Sequence, residues 1–256
     1  MALKIGIAGI TGRMGRLVAE EVREAGATVA GGLSRSEDGA AGPVPRFADI
    51  AGLARASDLV IDFTHAAAVH SHAAALAEAG KPWILGTSGL AGEDEAAVAA
   101  AARRIPVVYA ANFSAGVNLV LALAERMGAA LPAARYDAEI VEMHHRQKVD
   151  APSGTAIAIG RAVAAGRGVA LAEVSISGRD GHTGPRPAGA IGFAALRGGQ
   201  VVGEHSLIFA AADEHIVLSH RAFDRRTFAA GAVRAALWAA GRPPGLYGMA
   251  DVLEMS

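Results

Sequence analysis

The sequence contains no cysteine and few aromatic residues. Its 256 residues include two tryptophans, three tyrosines, seven phenylalanines and no cysteine. Disulfide bridges, thiolate metal ligands and cysteine nucleophiles are therefore excluded. A chain of this length buries about three quarters of the surface of its unfolded form, so a core can stabilise it without disulfides. The lack of cysteine also agrees with a reducing compartment, and we expect a cytoplasmic protein.

An excess of charge and a long apolar run are also missing. The 24 Lys and Arg residues nearly balance the 25 Asp and Glu residues, and the formal net charge is -1. Because no basic field attracts nucleic acid or an anionic membrane surface, we expect neither as a partner. No apolar run reaches the roughly 18 residues that a membrane-spanning helix requires.

The first part of the sequence alternates short apolar runs with amphipathic segments. It predicts strands at residues 4–8, 28–33, 58–63, 82–85 and 105–110, and helices at 13–25, 66–79 and 93–104. Strands that alternate with helices predict a parallel sheet covered on both faces. The fold class expected here is α/β, with a Rossmann-like dinucleotide-binding domain.

After Asn112 the pattern changes to strands with few helices between them. Residues 191–196 and 200–204 flank Arg197-Gly198-Gly199, and residues 207–211 and 216–220 flank a second turn, so two hairpins are predicted. These segments predict an α+β domain with a mixed or antiparallel sheet. An amphipathic helix at 227–240 is expected to return to the first domain. The predicted boundaries are 1–112 with 222–256 for one domain and 113–221 for the other.

A glycine-rich turn follows the first predicted strand and opens the first predicted helix. Its Gly-x-x-Gly-x-x-Gly spacing departs from the commonest dinucleotide fingerprint, but the strand–turn–helix context is the one that such a fingerprint requires. In that context the N–H groups of a helix N-terminus bind a pyrophosphate. The residues expected to contact a nicotinamide dinucleotide are Gly9, Ile10, Thr11, Gly12, Arg13 and Met14.

Ser34 and Arg35 follow the second predicted strand. A site selective for NAD usually carries an acidic residue at this point, which binds the ribose 2′-hydroxyl. A hydroxyl beside a guanidinium suits a 2′-phosphate better. We therefore predict that the chain uses NADPH at least as well as NADH, with Ser34 and Arg35 among the cofactor-binding residues.

Three further loops follow predicted parallel strands, at the edge of the sheet where ligands bind in such folds. Their small and polar residues are candidates for contacts with ribose and nicotinamide. These candidates are Phe63, Thr64, Gly86, Thr87, Ser88, Ala110, Ala111, Asn112 and Phe113.

Residues 142–155 form the most informative stretch, between a predicted strand and a predicted helix. Ser153 or Thr155 can cap that helix, and Gly154 lets a ligand approach the backbone. The unpaired N–H groups at the start of the helix favour a carboxylate or a phosphate. The sequence therefore predicts an anion site with Ser153, Gly154 and Thr155 in it.

Two histidines and a lysine lie in the same stretch. His145 and Lys148 can donate hydrogen bonds to a bound anion, and His144 is a candidate general acid because imidazole titrates near neutral pH.

A metal site that uses these histidines is the first alternative. Its spacing is unfavourable, because His144 and His145 on extended backbone face opposite ways and no His-Glu-x-x-His is present. We expect no metal.

Taken in this order along the chain, these motifs resemble the 4-hydroxy-tetrahydrodipicolinate reductase family, also called dihydrodipicolinate reductases. The resemblance runs from Lys4 nearly to the C-terminus and is most specific at Glu142–Thr155. It includes Gly181-His182-Thr183-Gly184, Gly203-Glu204-His205 and residues 227–238. One departure concerns Ser34, where many members of the family have an acidic residue.

The resemblance implies an activity and a set of roles. The activity is reduction of 4-hydroxy-tetrahydrodipicolinate by NADH or NADPH, with loss of water, in diaminopimelate and lysine biosynthesis. His144 matches the catalytic acid and Lys148 the second proton donor, while His145, Gly154 and Thr155 match substrate-binding positions. The first domain then binds the dinucleotide. The second binds a cyclic dicarboxylate and joins four copies into a homotetramer through its sheet.

Two other functions share part of this pattern. An oxidoreductase similar to an aspartate dehydrogenase would have the same nucleotide half but would not need residues 142–155 in this form. A nucleotide-binding sensor without activity would leave His144 and Lys148 dispensable.

Overall fold

A computed structural model of the chain describes residues 2–34 and 44–255. The chain divides into two compact units. Unit 1 comprises Met1–Ala115 and Arg225–Ser256, and unit 2 comprises Gly116–Asp224. Unit 1 contains the glycine-rich turn, and unit 2 contains His144 and His145. The functional role that the sequence predicts for each unit stays a prediction.

Twelve strands and nine α-helices lie within the described residues. The strands are β1 (Lys4–Ala8), β2 (Thr28–Leu33), β3 (Arg46–Phe47), β4 (Leu59–Asp62), β5 (Trp83–Leu85), β6 (Pro106–Tyr109), β7 (Asp137–His144), β8 (Ser175–Ser177), β9 (Ile191–Arg197), β10 (Gly203–Ala210), β11 (His215–Ala222) and β12 (Gly245–Tyr247). The helices are α1 (Arg13–Glu24), α2 (Ile50–Ala56), α3 (Val69–Ala79), α4 (Gly92–Ala102), α5 (Ala115–Ala130), α6 (Gly154–Gly166), α7 (Leu171–Val174), α8 (Arg226–Ala239) and α9 (Met249–Val252). None of these helices is long and apolar enough to cross a membrane.

A parallel sheet of seven strands forms the centre of unit 1. The strand order is β12-β6-β5-β4-β1-β2-β3, and each neighbouring pair is parallel. Every residue of β4 and β5 is buried, as expected for strands covered on both faces. The direction of the strand order reverses at β1, which is the place where such sheets bind ligands. The predicted Rossmann-like α/β fold is confirmed.

Helices cover both faces of this sheet. On one face Ile5 and Ile61 pack in a core with Val233 of α8. On the other face Trp83 packs in a core with Val98 of α4. Helix α8 therefore belongs to unit 1, although it follows unit 2 in the sequence.

Unit 2 contains a mixed sheet of five strands in the order β11-β10-β7-β9-β8. Strand β7 pairs antiparallel with β10 and parallel with β9, which in turn pairs parallel with β8. Its buried face carries Ile140, Phe193 and Leu207, which pack in one core with Ile159 and Val163 of α6. The predicted mixed or antiparallel sheet is confirmed as a mixed one.

The hairpin predicted for residues 191–196 and 200–204 is wrong. Strands β9 and β10 lie on opposite sides of β7, and the Gly198-Gly199 turn begins a connection across the end of β7. Gly198 N donates to the His144 carbonyl at 2.9 Å, and His145 N donates to the Val201 carbonyl at 2.8 Å. A glycine turn lets the chain change direction, but it does not specify which strand becomes the partner. The second predicted hairpin is present as β10 and β11.

Candidate active site

The glycine-rich turn in unit 1 is fixed by close backbone contacts. Gly9 has φ +84°, and a Cβ there would lie 2.6 Å from the Phe63 carbonyl oxygen. Gly12 N donates to the Gly9 carbonyl at 2.9 Å. A Cβ on Gly15 would lie 2.1 Å from that same Gly9 oxygen, because α1 presses against the turn. Gly15 therefore has no room for a side chain, and Gly9 both lacks room and has a backbone conformation that glycine adopts readily.

Helix α1 begins directly after this turn with its N-terminus uncapped. Gly12 is the N-cap and has no side chain that could accept a hydrogen bond from the first turn of the helix. Those N–H groups lie at the positive end of the helix dipole, which makes them an anion site. Arg13 is exposed, Met14 is half-buried, and Ile10 is fully buried, so its backbone alone can contact a ligand.

Ser34 lies beside the glycine-rich turn. Its hydroxyl and the Thr11 hydroxyl are hydrogen-bonded to each other, which joins the end of β2 to the turn. A ribose attached to a pyrophosphate on α1 would lie near this pair of hydroxyls. Arg35, the other residue of the predicted ribose site, lies outside the described residues.

The remaining strand-end loops meet around one aromatic ring. Phe63 packs edge-on against Phe113, with ring centroids 5.8 Å apart. A Cβ on Gly86 would lie 2.2 Å from the Phe63 ring. Asn112 Oδ1 accepts a hydrogen bond from Ser114 N at 2.8 Å, and Ala110 and Ala111 precede it. The structure thus brings the three predicted loops together at the carboxyl edge of the sheet.

Asp62, which the sequence pattern did not identify, anchors the first of these loops. Its fully buried carboxylate accepts hydrogen bonds from Thr64 N at 3.0 Å and Thr64 Oγ1 at 2.6 Å. Trp83 Nε1 donates to it at 3.2 Å, and His72 Nδ1 lies 2.6 Å from it. A buried carboxylate is tolerated when it is hydrogen-bonded in this way, and here it fixes the position of Phe63 and Thr64.

The buried hydroxyl of Thr87 bears on whether unit 1 can bind a dinucleotide. It is buried, and its hydroxyl has no hydrogen-bond partner within the described residues, while neighbouring Ser88 is exposed. Because buried hydroxyls are normally paired, an unpaired one in a strand-end loop indicates a polar ligand. The uncapped α1 suits a pyrophosphate and the Thr87 loop suits a further polar group. The residues of unit 1 therefore fit a nicotinamide dinucleotide.

In unit 2 the two-residue period of β7 creates the histidine cluster. Residues 138, 140, 142 and 144 are buried, and the residues between them are half-buried. Ala138 and Ile140 lie in the apolar core, whereas Glu142 and His144 form the polar end of the same face. His144 Nδ1 lies 2.6 Å from Glu142 Oε2.

Glu142 has four hydrogen-bonding contacts. Besides His144, Arg197 donates from one guanidinium nitrogen to each carboxylate oxygen at 2.8 Å, and Ser153 N donates at 3.1 Å. Burial raises the pKa of Glu142, but the hydrogen bonds from Arg197 and His144 outweigh it and hold the pKa below its ordinary value. Glu142 is therefore ionised at neutral pH and accepts a hydrogen bond from His144 Nδ1–H, which leaves Nε2 as the nitrogen that exchanges a proton.

His205 packs edge-on against His144, with ring centroids 5.1 Å apart. Burial lowers the pKa of His205 to about 4, so His205 is neutral at physiological pH. Burial also lowers the pKa of His144 and outweighs Glu142, which raises it. A Cβ on Gly203 would lie 3.0 Å from His144 Nε2, so the glycine leaves space at this nitrogen.

Helix α6 begins beside these histidines. Ser153 is its N-cap and accepts from Ala156 N at 3.2 Å, while its hydroxyl lies 3.0 Å from His205 Nε2. The Ser153 side chain is thus used inside the protein. Gly154 is exposed, with open space where a Cβ would be, and Thr155 is half-buried. An anion at this helix start would be bound mainly by the backbone of these two residues.

Lys148 and His145 lie in the loop between β7 and α6. Lys148 Nζ forms an ion pair with Asp150 Oδ1 at 2.8 Å, and Arg197 donates to the Asp150 carbonyl at 2.7 Å. His145 Nδ1 is buried and has no partner within the described residues. The loop therefore carries the Lys148 ammonium group, which Asp150 holds in place, and a His145 ring nitrogen that is available to a ligand.

The sequence pattern assigned no role to four residues of this cluster: Glu142, Asp150, Arg197 and His205. The two-residue period of a strand was enough to place Glu142 beside His144. Arg197 and His205 are brought to the cluster by the pairing of β9 and β10 with β7, which the predicted hairpin misplaced. Within residues 2–34 and 44–255, no group of three or more His, Asp or Glu residues is arranged to hold a metal ion.

Both halves of the chain match models of one protein family. Residues 3–113 match "Dihydrodipicolinate reductase, N-terminus", and residues 116–253 match "Dihydrodipicolinate reductase, C-terminus". A 4-hydroxy-tetrahydrodipicolinate reductase of Granulibacter bethesdensis is 67% identical over 256 residues, which cover 99% of this chain and 98% of the relative. One of Acidiphilium cryptum is 66% identical over 253 residues, with the same coverage of 99% and 98%.

Solved structures show the same fold. A dipicolinate-bound dihydrodipicolinate reductase from Paenisporosarcina sp. TG-14 matches with TM-score 0.79 and 22% identity, over 97% of this chain and 98% of that chain. GenD2 from gentamicin A biosynthesis, in complex with NAD, matches with TM-score 0.62 and 14% identity, over 94% of this chain and 88% of that chain. At these identities the likeness concerns the fold alone.

Proposed function

The chain belongs to the dihydrodipicolinate reductase family, and on this premise we propose how its own residues carry out the family reaction. It is an NAD(P)H-dependent oxidoreductase that acts on 4-hydroxy-tetrahydrodipicolinate in diaminopimelate and lysine biosynthesis. The aspartate dehydrogenase-like function and the sensor function lose their support, because residues 116–253 match the C-terminal half of the family.

Unit 1 is the cofactor-binding part of this proposal. A bound NADH or NADPH supplies the hydride. The backbone of residues 9–14 binds the pyrophosphate at the uncapped start of α1, and the unpaired Thr87 hydroxyl binds a polar group at the other end of the cofactor. Ser34 and Arg35 bind the ribose, and NADPH serves at least as well as NADH. The residues that complete the cofactor site are Phe63, Thr64, Gly86, Ser88, Ala110, Ala111, Asn112 and Phe113.

Unit 2 is the substrate-binding part. The substrate is a cyclic dicarboxylate, so it needs donors for two carboxylates. Gly154 and Thr155 bind one of them through the backbone N–H groups at the start of α6, where Ser153 holds the helix end in place. His145 binds the substrate as well, through a ring nitrogen that has no partner within the described part of the chain.

His144 is the proposed general acid. Addition of hydride to a conjugated imine leaves electron density that takes up a proton, so an acid belongs beside the ring. Glu142 accepts from His144 Nδ1, and the proton is transferred from Nε2, which lies over Gly203. Lys148, held by Asp150, is the second proton donor: it protonates the hydroxyl group, which leaves as water while the neighbouring ring carbon loses a proton to solvent. The Glu142–His144 pair is the observation that carries this assignment.

A steady-state assay tests these roles. Enzymatically generated 4-hydroxy-tetrahydrodipicolinate is supplied with NADPH, and the loss of nicotinamide absorbance is followed. We expect His144→Gln and Lys148→Ala each to lower kcat by about 100-fold or more while the Kd of NADPH changes little. His215→Gln, which alters an exposed histidine at the start of β11, is the matched control. Unchanged kcat in both test variants would contradict the assigned roles.

We also propose that the protein is cytoplasmic and forms a homotetramer through the open face of the unit 2 sheet. Leu196 is 50% exposed and Val217 is 57% exposed. Leu196 pairs with half-buried Met143 on β7, and Val217 pairs with half-buried Ile208 on β10. An apolar face of this kind is typical of an interface. Light scattering in solution should give the mass of four chains, and a monomer mass would refute the assembly.

A further inference from the structure

Arg197 contacts the partners of both proposed proton donors. It ends β9 and pairs across the sheet with His144. Its guanidinium binds both oxygens of Glu142, at 2.8 Å each, and also donates to the backbone carbonyl of Asp150 at 2.7 Å. Glu142 in turn holds His144, and the Asp150 carboxylate holds Lys148. One side chain therefore connects the two donors, which lie on different structural elements.

We propose that Arg197 and Glu142 are positioning residues for the reaction, with Glu142 orienting His144 and Arg197 holding both Glu142 and the turn that carries Lys148. This inference rests on the proton-donor roles proposed above. Neither residue needs to touch the substrate, because each acts through its contact with the next residue.

Glu142 sets the hydrogen-bonding state of His144. An ionised carboxylate only accepts hydrogen bonds, so His144 Nδ1 has to carry a proton and Nε2 is the nitrogen that exchanges one. A carboxylate plays the same part toward the histidine of Ser-His-Asp triads, where it fixes the tautomer and stabilises the imidazolium. In Glu142→Gln the negative charge is lost and the amide can turn its NH2 group toward Nδ1. His144 is then no longer restricted to one tautomer.

Arg197 is suited to its task by the shape of its guanidinium. Two parallel N–H groups match the two oxygens of Glu142, and the fork still reaches the Asp150 carbonyl. A lysine keeps the charge but offers a single nitrogen. Arg197→Lys therefore separates the geometric contribution of this residue from its charge.

Other charged and titratable groups also face His144. Glu142 on β7, Arg197 on β9 and Lys148 in the loop act on the charge of His144, and His205 on β10 packs against its ring. His220 on β11 acts on His205, and Asp150 pairs with Lys148. Glu142 is the group that raises the pKa of His144, whereas Lys148 and Arg197 lower it. A general acid is active while protonated, so activity falls as pH rises through its pKa. Removing the charge of Glu142 should shift this fall to lower pH.

A second ion pair on β7 supplies matched controls. Arg179 binds both oxygens of Glu139 at 2.8 Å, in the same two-pronged geometry as the Arg197–Glu142 pair. Glu139 is half-buried on the opposite face of the strand from His144. Glu139 also accepts from Arg186 Nε at 2.7 Å, so Arg179→Lys, which leaves that contact in place, is the closer match. Neither Glu139→Gln nor Arg179→Lys touches a proton donor.

The experiment compares these four variants with the wild type and His144→Gln. For each we measure kcat and KM as a function of pH, the Kd of NADPH, and the nitrogen NMR shifts of His144 in the protein without substrate. We expect Glu142→Gln and Arg197→Lys to lower kcat by about 10- to 100-fold with a nearly unchanged Kd for NADPH. Glu142→Gln should also move the alkaline fall of kcat/KM to lower pH and change the His144 nitrogen shifts toward a mixture of tautomers. The controls should match the wild type.

The possible results separate this inference from the proposed function. If His144→Gln is impaired while Glu142→Gln and Arg197→Lys keep wild-type kcat, pH profile and nitrogen shifts, the positioning role is refuted and the acid role stands. If His144→Gln retains full kcat, the acid role fails and the positioning role fails with it. Should Glu142→Gln not fold, Arg197→Lys decides the question through the same kcat and NMR measurements.

Discussion

Thr87→Val should stabilise the protein without cofactor and weaken cofactor binding. Valine has nearly the shape of threonine, and the Thr87 hydroxyl is buried with no partner in the described part of the chain. Leaving a buried hydroxyl unpaired costs about 1–3 kcal/mol, so its removal should raise the free energy of unfolding by about 1 kcal/mol. For a chain of this size that corresponds to a rise in Tm of about 2–4 °C.

Cofactor binding should change in the opposite direction. If the hydroxyl pairs with a polar group of NADPH, its loss removes a hydrogen bond worth about 0.5–1.5 kcal/mol. The Kd of NADPH should then rise by about 2- to 10-fold. Thermal unfolding without cofactor and a fluorescence titration with NADPH measure the two quantities separately.

Thr64→Val is the matched control for stability. The Thr64 hydroxyl donates to the buried Asp62 carboxylate at 2.6 Å, so the same substitution there should lower Tm. The reasoning about Thr87 is refuted if Thr87→Val lowers the Tm of the cofactor-free protein and leaves the Kd of NADPH unchanged. That result would mean that the hydroxyl is paired inside the protein.

Three further predictions concern other positions. Gly15→Ala places a Cβ 2.1 Å from the Gly9 carbonyl oxygen, so it should lower the free energy of urea unfolding by about 1–3 kcal/mol. It should also weaken NADPH binding more than substrate binding, and unchanged stability would refute the packing argument. His205 should make the folded state less stable in acid: its pKa falls from 6.5 to about 4 on folding, so the unfolded chain binds the proton more readily below pH 6.5. Across about 2.5 pH units at ~1.4 kcal/mol each, about 3 kcal/mol of stability should be lost between pH 6.5 and pH 4, and His205→Asn should flatten that part of the curve. Arg35→Ala should lower kcat/KM for NADPH more than for NADH, and an equal effect on both would count against a contact with the 2′-phosphate.

Much of unit 1 was predictable because its signals are local. The Gly9 turn, the apolar runs of β1 and β4 and the helix stop at Gly80 each depend on a few adjacent residues. A repeated order of strand and helix then restricts the topology strongly. Asp62 was not predictable in the same way, because its partners Trp83 and His72 come from separate elements.

Unit 2 was less predictable because its site depends on strand pairing. The cap at Ser153 and the position of His144 at a strand end follow from neighbouring residues. Arg197 reaches Glu142 only because β9 pairs in parallel with β7, and the Gly198-Gly199 turn favoured a hairpin instead. The positions of Arg197 and His205 therefore required the register of the whole sheet, which no local pattern contains.

The alternation along β7 means that the number of residues in this strand decides which side chains face the site. Its odd-numbered residues, such as Val141 and Met143, face one side, and Glu142 and His144 face the other. Deleting one residue before Glu142 would turn the carboxylate and the imidazole to the open face and bring apolar side chains into the site. Deleting two would keep every face but shift the pairing with β9 and β10. A substitution in β7 thus alters one face of the sheet, whereas a change of one residue in length alters both surfaces at once.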